Sequence, residues 1–188
     1  MRELEKRIYL SDAQYEDFKT FFDLVNVVPE RQITTYYEIP GKDLRLMQTS
    51  SYCKIWLKGG KIHDICREEK EVYIDKNYSS EIEDILIDVF DIKTKWYRER
   101  YKFKYKDANI CLDRTINYGC ILELEIMIED TPNILLAENT INAYIEELGL
   151  HDTDVSFWND LYSNYVAHWR SFRFPEKNSW LIGEEIYD

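Results

Sequence analysis

Arg98, Arg100, Lys102 and Lys104 fall at every second position of one stretch, with Tyr97, Tyr101, Phe103 and Tyr105 between them. A period of two is the repeat of an extended chain, whose side chains leave to alternate faces; a helix cannot sort these residues onto one side. The stretch is therefore a strand with one charged face and one aromatic face. The same alternation recurs through the first two thirds of the chain. Glu3, Glu5 and Arg7 oppose Leu4 and Ile8, Arg45 and Met47 oppose Leu44 and Leu46, and Lys54, Trp56 and Lys58 oppose Ile55 and Leu57. An extended run through Arg67, Glu69 and Glu71 reaches Ile74. Further on, Cys111 and Asp113 alternate with Ile110 and Leu112, and Glu123 and Glu125 with Leu122, Leu124, Ile126 and Ile128. With residues 32–39, this pattern predicts about eight strands. Pro40-Gly41, Gly59-Gly60 and residues 107–109 read as turns between them.

Helical periodicity punctuates the strands. Ser11 is placed to cap a helix carrying Tyr15, Phe18, Phe22 and Val25 on one side. Ser80 and Glu83 have the spacing of a capping box, followed by Ile82, Ile85, Leu86 and Val89. Pro132 suits the first turn of a helix with Leu135, Leu136 and Ile145, which Gly149 would close. From Asp154 onward, Phe157, Leu161, Tyr165 and Trp169 recur at helical spacing, a stripe that fits core packing. The 188 residues suffice for one core. Neither a repeat nor a linker divides them, so a single α+β domain over residues 1–188 is expected.

Charge decides which partners to consider. Acidic residues number 36 against 24 basic ones, for a net charge of -12, and extended nucleic-acid binding calls for the opposite sign. The average hides a segregation, since Lys93, Lys95, Arg98, Arg100, Lys102, Lys104 and Lys106 crowd together; a local anion site is compatible with it. Cys53, Cys66, Cys111 and Cys120 lack zinc-ligand spacing, and His63, His151 and His168 are scattered. The chain opens Met-Arg-Glu-Leu-Glu without an apolar leader, and no apolar run approaches the ~18 residues of a membrane helix. A cytoplasmic protein with reduced thiols and no membrane contact is the expectation.

Alternation leaves open which face of the strands is wet. A sandwich with solvated charges satisfies it, and so does a closed barrel with the charges inside and the apolar faces turned out against helices. The arrangement of signs favours the barrel. Glu3/Glu5 and Glu123/Glu125 are two Glu-x-Glu pairs near opposite ends of the strand region, each with carboxylates about 7 Å apart by strand rise. Enclosed, they need counter-charge, which Arg7, Arg45, Lys58, Arg67, Arg98 and Arg100 would supply. Such an interior suits a polyphosphate, with Arg and Lys on its oxygens and a hard divalent cation, Mg²⁺ or Mn²⁺, between it and the carboxylates.

These residues also form a recognisable series. Glu3-Leu4-Glu5-Lys6-Arg7 resembles the ExExK signature of the CYTH, or triphosphate tunnel metalloenzyme, superfamily. Tyr36-Tyr37-Glu38-Ile39-Pro40 followed by Leu44-Arg45-Leu46 is similar to its YYDTP…LRxR segment, and Leu57-Lys58-Gly59 to its LKG. Arg67-Glu68-Glu69-Lys70-Glu71-Val72 resembles RxExEV, and Arg98-Glu99-Arg100 resembles KxR. Leu112-Asp113 through Gly119 to Glu123-Leu124-Glu125 follows the spacing of LDxxxxLGxFxExE. The resemblance runs in order over roughly residues 2–128. It implies an eight-stranded antiparallel β-barrel with helices packed outside, binding a small-molecule triphosphate with Mg²⁺ or Mn²⁺. Family activities include tripolyphosphatase, thiamine triphosphatase, class IV adenylyl cyclase and RNA 5′-triphosphatase. The lead expectation is a metal-dependent triphosphatase, with adenylyl cyclase as the nearest enzymatic alternative and a non-catalytic triphosphate binder as a different one.

By that resemblance Glu3, Glu5, Glu123 and Glu125 hold the metal, with Asp113 joining directly or through water, while Arg45, Lys58, Arg67, Arg98 and Arg100 bind phosphate. Arg7 would steer the attacking water through a neighbouring carboxylate. Structural alternatives stand beside these roles: Asp113 could cap the turn before Gly119, and Arg67 could simply pair with Glu69 or Glu71. Two positions depart from the family pattern. Arg7 stands where Lys is usual, and Met47 stands where a second base is usual, a contact that Lys54 or Lys102 could replace.

Overall fold

A computed structural model describes residues 2–59, 69–128 and 134–184. Its strands are β1 (Arg2–Leu10), β2 (Glu30–Ile39), β3 (Lys42–Gln48), β4 (Tyr52–Lys58), β5 (Glu69–Asp75), β6 (Ile92–Tyr105), β7 (Ala108–Thr115) and β8 (Gly119–Ile128). Helix α1 (Asp12–Phe21) follows β1, and α2 (Ser79–Val89) joins β5 to β6. Helices α3 (Ile134–Glu147), α4 (Val155–His168) and α5 (Lys177–Ile182) end the chain. Among the described residues no helix is long and apolar enough to cross a membrane.

All eight strands form one antiparallel sheet in the order β1-β8-β7-β6-β2-β3-β4-β5. The sheet curls into a barrel-like form but does not close, because among the described residues no ladder joins the edge strands β1 and β5. Closure is thus the one feature of the expected barrel that needs correcting. Register puts Arg7 opposite Glu123 and Glu5 opposite Glu125 on β1 and β8. On the other side of the sheet, Met47 lies opposite Lys54.

The outward faces are apolar and the helices cover them. Leu4, Ile8, Leu10, Ile110, Leu112, Leu122 and Leu124 pack against Tyr15 and Phe18 of α1 and Ala137, Ile141 and Ile145 of α3. Across the sheet, Tyr37, Leu46 and Cys53 meet Ile82 and Leu86 of α2. Burying each such side chain contributes roughly 1.5–3 kcal/mol, so hydrophobic stabilisation comes from outside the sheet and leaves its inner face free for polar groups. Helix α4 differs from the others. Its Trp158 and Tyr165 join Tyr36, Trp96, Tyr118 and Ile121, residues of the inner side and its turn.

Local signals set most helix ends. Ser11 caps α1 in a reciprocal box, its Oγ accepting from the Gln14 N–H at 3.2 Å while its own N–H donates to Gln14 Oε1 at 2.9 Å. Gly149, at φ 70°, ends α3 in the left-handed conformation that glycine adopts without strain. At Gly119, φ is 112° and a Cβ would lie 2.4 Å from the Tyr9 hydroxyl, so the β7–β8 turn requires glycine.

Several helix expectations need correcting. The spacing of Ser80 and Glu83 forms no capping box: α2 starts at Ser79 with no side-chain cap. Glu83 is instead drawn into the interior by two cations. Its carboxylate accepts from Lys95 of β6 at 2.8 Å, Lys177 of α5 at 2.7 Å and Gln48 of β3 at 3.2 Å. Ile85 and Val89 of α2 are exposed, and so are Leu135 and Leu136, because α3 buries the face of Ala137, Ile141 and Ile145. Val25 lies beyond the end of α1, and Phe157 faces outward. Pro132, Gly60, His63 and Cys66 lie outside the described residues.

Burial pushes the Glu83 carboxyl up, but Lys177 and Lys95 outweigh it and hold it down at about 2. A carboxylate depressed by folding stabilises the protein above its unfolded pKa of about 4.3 and loses that contribution as pH falls toward 2. Replacing Glu83 by Gln should therefore cost about 2 kcal/mol at pH 7, since both lysines remain partly open to solvent. The gap between Glu83→Gln and wild type in urea denaturation should narrow steadily between pH 4.5 and pH 2. A gap independent of pH would remove the ion pairs from the account.

Candidate functional site

The inner face of the sheet encloses a cavity of about 160 Å³. Every strand except β7 sends side chains into it. Glu5 and Arg7 come from β1, Gln32, Thr34 and Tyr36 from β2, and Arg45 and Met47 from β3. Strand β4 adds Tyr52, Lys54, Trp56 and Lys58, β5 adds Tyr73, β6 adds Trp96, Arg98, Arg100 and Lys102, and β8 adds Ile121, Glu123 and Glu125. The two Glu-x-Glu strands and the basic strands therefore do share one bore, although β1 and β4 are far apart in the order of the sheet.

At its centre is a compact ion network. Arg100 donates through Nη2 to Glu123 Oε2 at 2.5 Å, and through Nε and Nη2 to the two oxygens of Asp113 at 2.7 and 2.5 Å. Arg98 approaches the same Asp113 at 3.2 Å and reaches Thr115 Oγ1 at 3.3 Å. Arg7 bonds Glu5 and lies 3.3 Å from Glu123. Burial pushes the Glu123 carboxyl upward, yet Arg100, Arg7, Arg98 and Lys58 together pull it down to about 2, so it is ionised. Burial also works against the charge on Arg7, but Glu5 and Glu123 more than offset it and hold the guanidinium above its ordinary range.

Asp113 is placed behind this wall. It is fully buried, lines none of the cavity and uses both oxygens on arginines. In this geometry it aims Arg98 and Arg100 into the bore. Glu3 pairs in register with Met127 on β8, while Arg67 lies outside the described residues.

The flank made by β3 and β4 is cationic and aromatic. Arg45 bonds Asp43, its Nε donating at 2.9 Å, and its guanidinium lies 4.5 Å from the Tyr36 ring centre and 5.5 Å from that of Trp56. Lys54 bonds Glu71 at 2.8 Å above Trp56. Because Lys54 is the direct cross-strand neighbour of Met47, it brings a positive charge to the place where Met47 brings none. Among the described residues, Nε1 of Trp56, Nε1 of Trp96 and the hydroxyl of Tyr162 are buried without a hydrogen-bond partner.

Sequence reasoning missed part of this lining. Trp96 and Tyr73 could have been read from parity, since each stands two positions from a charged residue assigned to the inner face. Tyr118, Trp158 and Tyr162 carry no such signal, because a turn residue and a helical aromatic stripe look the same whether they face a core or a cavity.

The carboxylate oxygens suit a hard cation. One ligand atom each from Glu123, Glu125 and Cys111 lie within 4.8 Å of one another. Burial pushes the Cys111 thiol up, so it stays neutral and soft and leaves the oxygens as the donors a hard cation would use. Neutralising Asp113 should release the arginines it aims. We expect Asp113→Asn to cost about 3 kcal/mol in equilibrium denaturation, because it leaves two buried guanidinium groups short of a partner. Unchanged stability would show that Glu123 alone holds Arg100.

The family model described as the CYTH domain matches residues 1–156. No curated protein matches. Among solved structures, a protein of Pyrococcus horikoshii is similar at 24% identity and a TM-score of 0.64, over 81% of this chain and 93% of that one. A Bacillus halodurans protein named as a candidate adenylate cyclase is similar at 14% identity and a TM-score of 0.61, over 81% and 92%. A Hippeastrum protein, a candidate adenylyl cyclase with a dominant triphosphatase activity, is similar at 14% identity and a TM-score of 0.63, over 87% and 95%. At these identities the likeness is one of fold.

Proposed function

The chain belongs to the CYTH domain family, and from that premise we propose that it is a divalent-metal-dependent phosphohydrolase acting on tripolyphosphate or on a nucleoside or other organic triphosphate inside the barrel. One observation carries the reading: among the described residues, the bore of a protein with net charge -12 is lined by seven cationic residues (Arg7, Arg45, Lys54, Lys58, Arg98, Arg100, Lys102) and three acidic ones (Glu5, Glu123, Glu125). So concentrated a positive field against the sign of the whole molecule fits a small polyanion. The triphosphatase activity of the Hippeastrum protein supports the same choice of reaction.

In this reading Glu5, Glu123 and Glu125, with Glu3 in register beside them, hold Mg²⁺ or Mn²⁺. When bound, such an ion polarises phosphoryl oxygens and acidifies a coordinated water. Arg98 and Arg100, fixed from behind by Asp113, meet the phosphate oxygens and stabilise the charge that builds on them as the anhydride breaks. Arg45, Lys54, Lys58 and Lys102 hold the rest of the chain of phosphates. Arg7, bonded to Glu5 and close to Glu123, keeps the two carboxylates apart in orientation and partly neutralised before the metal arrives.

Incubation with tripolyphosphate, ATP and 5′-triphosphate RNA, each with Mg²⁺ or Mn²⁺, tests the proposal. Release of orthophosphate is expected, and EDTA should abolish it. Cyclic nucleotide with pyrophosphate from ATP, or tight binding with no turnover, would replace the hydrolase reading. Glu125→Gln should lower kcat by roughly two orders of magnitude while leaving the thermal midpoint in place. A near wild-type rate in that variant would take Glu125 out of the metal site.

A further inference from the structure

Helix α2 has a face that the fold leaves uncovered. Ile82, Ile85 and Val89 are spaced three and four residues apart, and Tyr78, just before the helix, begins the same line four residues earlier. At about 100° per residue the three isoleucine and valine side chains fall within an arc of roughly 60°. Leu86 and Glu83 come next around the helix, on the flank toward the sheet. There Leu86 packs with Tyr37 and Leu46, and Glu83 meets Lys95 and Lys177. Ile82 reaches that cluster too. Tyr78, Ile85 and Val89 do not, and they are 60%, 62% and 65% exposed.

On the other side of this stripe runs a row of acids, Glu81, Asp84 and Asp88, again three and four residues apart and all exposed. Among the described residues the ion pairs of α2 all belong to Glu83, and these three acids have none. Asp88 lies in the last turn, which carries no basic residue, so its charge faces the negative end of the helix dipole. By itself α2 therefore bears two local costs, apolar surface held in water and acids without counter-charge. The two features are adjacent, and one occupant would relieve both.

We infer that α2 docks a short amphipathic helix of another protein, whose apolar stripe covers Tyr78, Ile85 and Val89 and whose lysines or arginines meet Glu81, Asp84 and Asp88. The sign of the charge selects this occupant. A second copy of this chain would bring the same acids to a two-fold contact, like against like. An anionic bilayer would be repelled for the same reason. Size limits the partner as well. The 11 residues of α2 span about 16 Å, a length that suits one helical segment laid alongside it. It falls well short of the roughly 1,000 Å² that a stable contact between folded domains buries. Because α2 packs on the outward side of the sheet, its occupant does not enter the bore.

Fluorescence anisotropy on the full chain tests this with a labelled synthetic helix as long as α2, bearing a leucine stripe flanked by lysines. A scrambled peptide of the same composition and a peptide with glutamates in place of the lysines serve as controls. Wild type should bind the ordered lysine peptide roughly tenfold more tightly than either control. The pair Ile85→Ser and Val89→Ser should weaken that binding about tenfold. The set Glu81→Gln, Asp84→Asn and Asp88→Asn should weaken it by about as much, and both variants should keep the urea midpoint of wild type. Equal binding of the scrambled peptide would reduce the effect to bulk charge and overturn the inference. Unchanged affinity in either variant would overturn it too, as would failure of wild type to bind. A concentration-dependent dimer in analytical ultracentrifugation, lost in the Ile85→Ser and Val89→Ser variant, would assign the face to a second copy instead.

Discussion

A carboxylate taken out of water must meet a cation or give up its charge, and Glu123 meets Arg100 and Arg7 within a barrel-like sheet. The rest of the interior follows from that requirement. Arg100 needs more acceptor oxygens than Glu123 provides, so Asp113 of β7 supplies two of them from behind. Once Asp113 holds Arg100, its second neighbour Arg98 is fixed as well. Two β8 carboxylates and two β6 arginines thus face one space because β7 lies between their strands and contributes a buried anion instead of a side chain to the lining. The order β8-β7-β6 in the sheet is what allows a residue with no access to the cavity to orient those that have it.

That network also explains how the protein divides stability from chemistry. The outward faces of β1, β7 and β8 bury aliphatic side chains against α1 and α3, a non-directional contribution that tolerates little polarity. The inward faces are left with charges whose mutual attraction barely offsets their desolvation. Such an interior is poor as a stabilising core and good as a preorganised site, since its donors already point at the space a ligand would fill. Helix α4, which turns aromatic rings toward Trp96 and Tyr118, closes one end of that space and combines both tasks in one element.

Much of this was legible in the sequence because a strand reveals its two faces at every second residue. Parity alone placed Glu5, Arg7, Arg45, Lys58, Arg98, Arg100, Glu123 and Glu125 on one face, and the pattern of signs turned that face inward. Where parity was silent, the reading failed in recognisable ways. Ser80 and Glu83 have the spacing of a capping box, but Lys95 and Lys177 lie in other elements and their pull on Glu83 cannot be seen from neighbouring residues. Alternation set Asp113 on the inner face without saying that the arginines beside it would cover it. Leu135 and Leu136 look like core residues until the position of β8 beneath α3 selects Ile141 and Ile145 instead. Each miss involves a tertiary partner that local spacing does not encode.

The unpaired seam between β1 and β5 has a mechanical consequence. In a barrel closed by hydrogen bonds, strand number and stagger fix the girth, and any widening breaks backbone bonds. Here the two margins face each other without such stitching among the described residues, so the girth responds to the side chains within. The arginines that face this space are bonded to carboxylates rather than to the opposite margin, so a polyanion that drew on them would act on the girth of the sheet without breaking a backbone ladder.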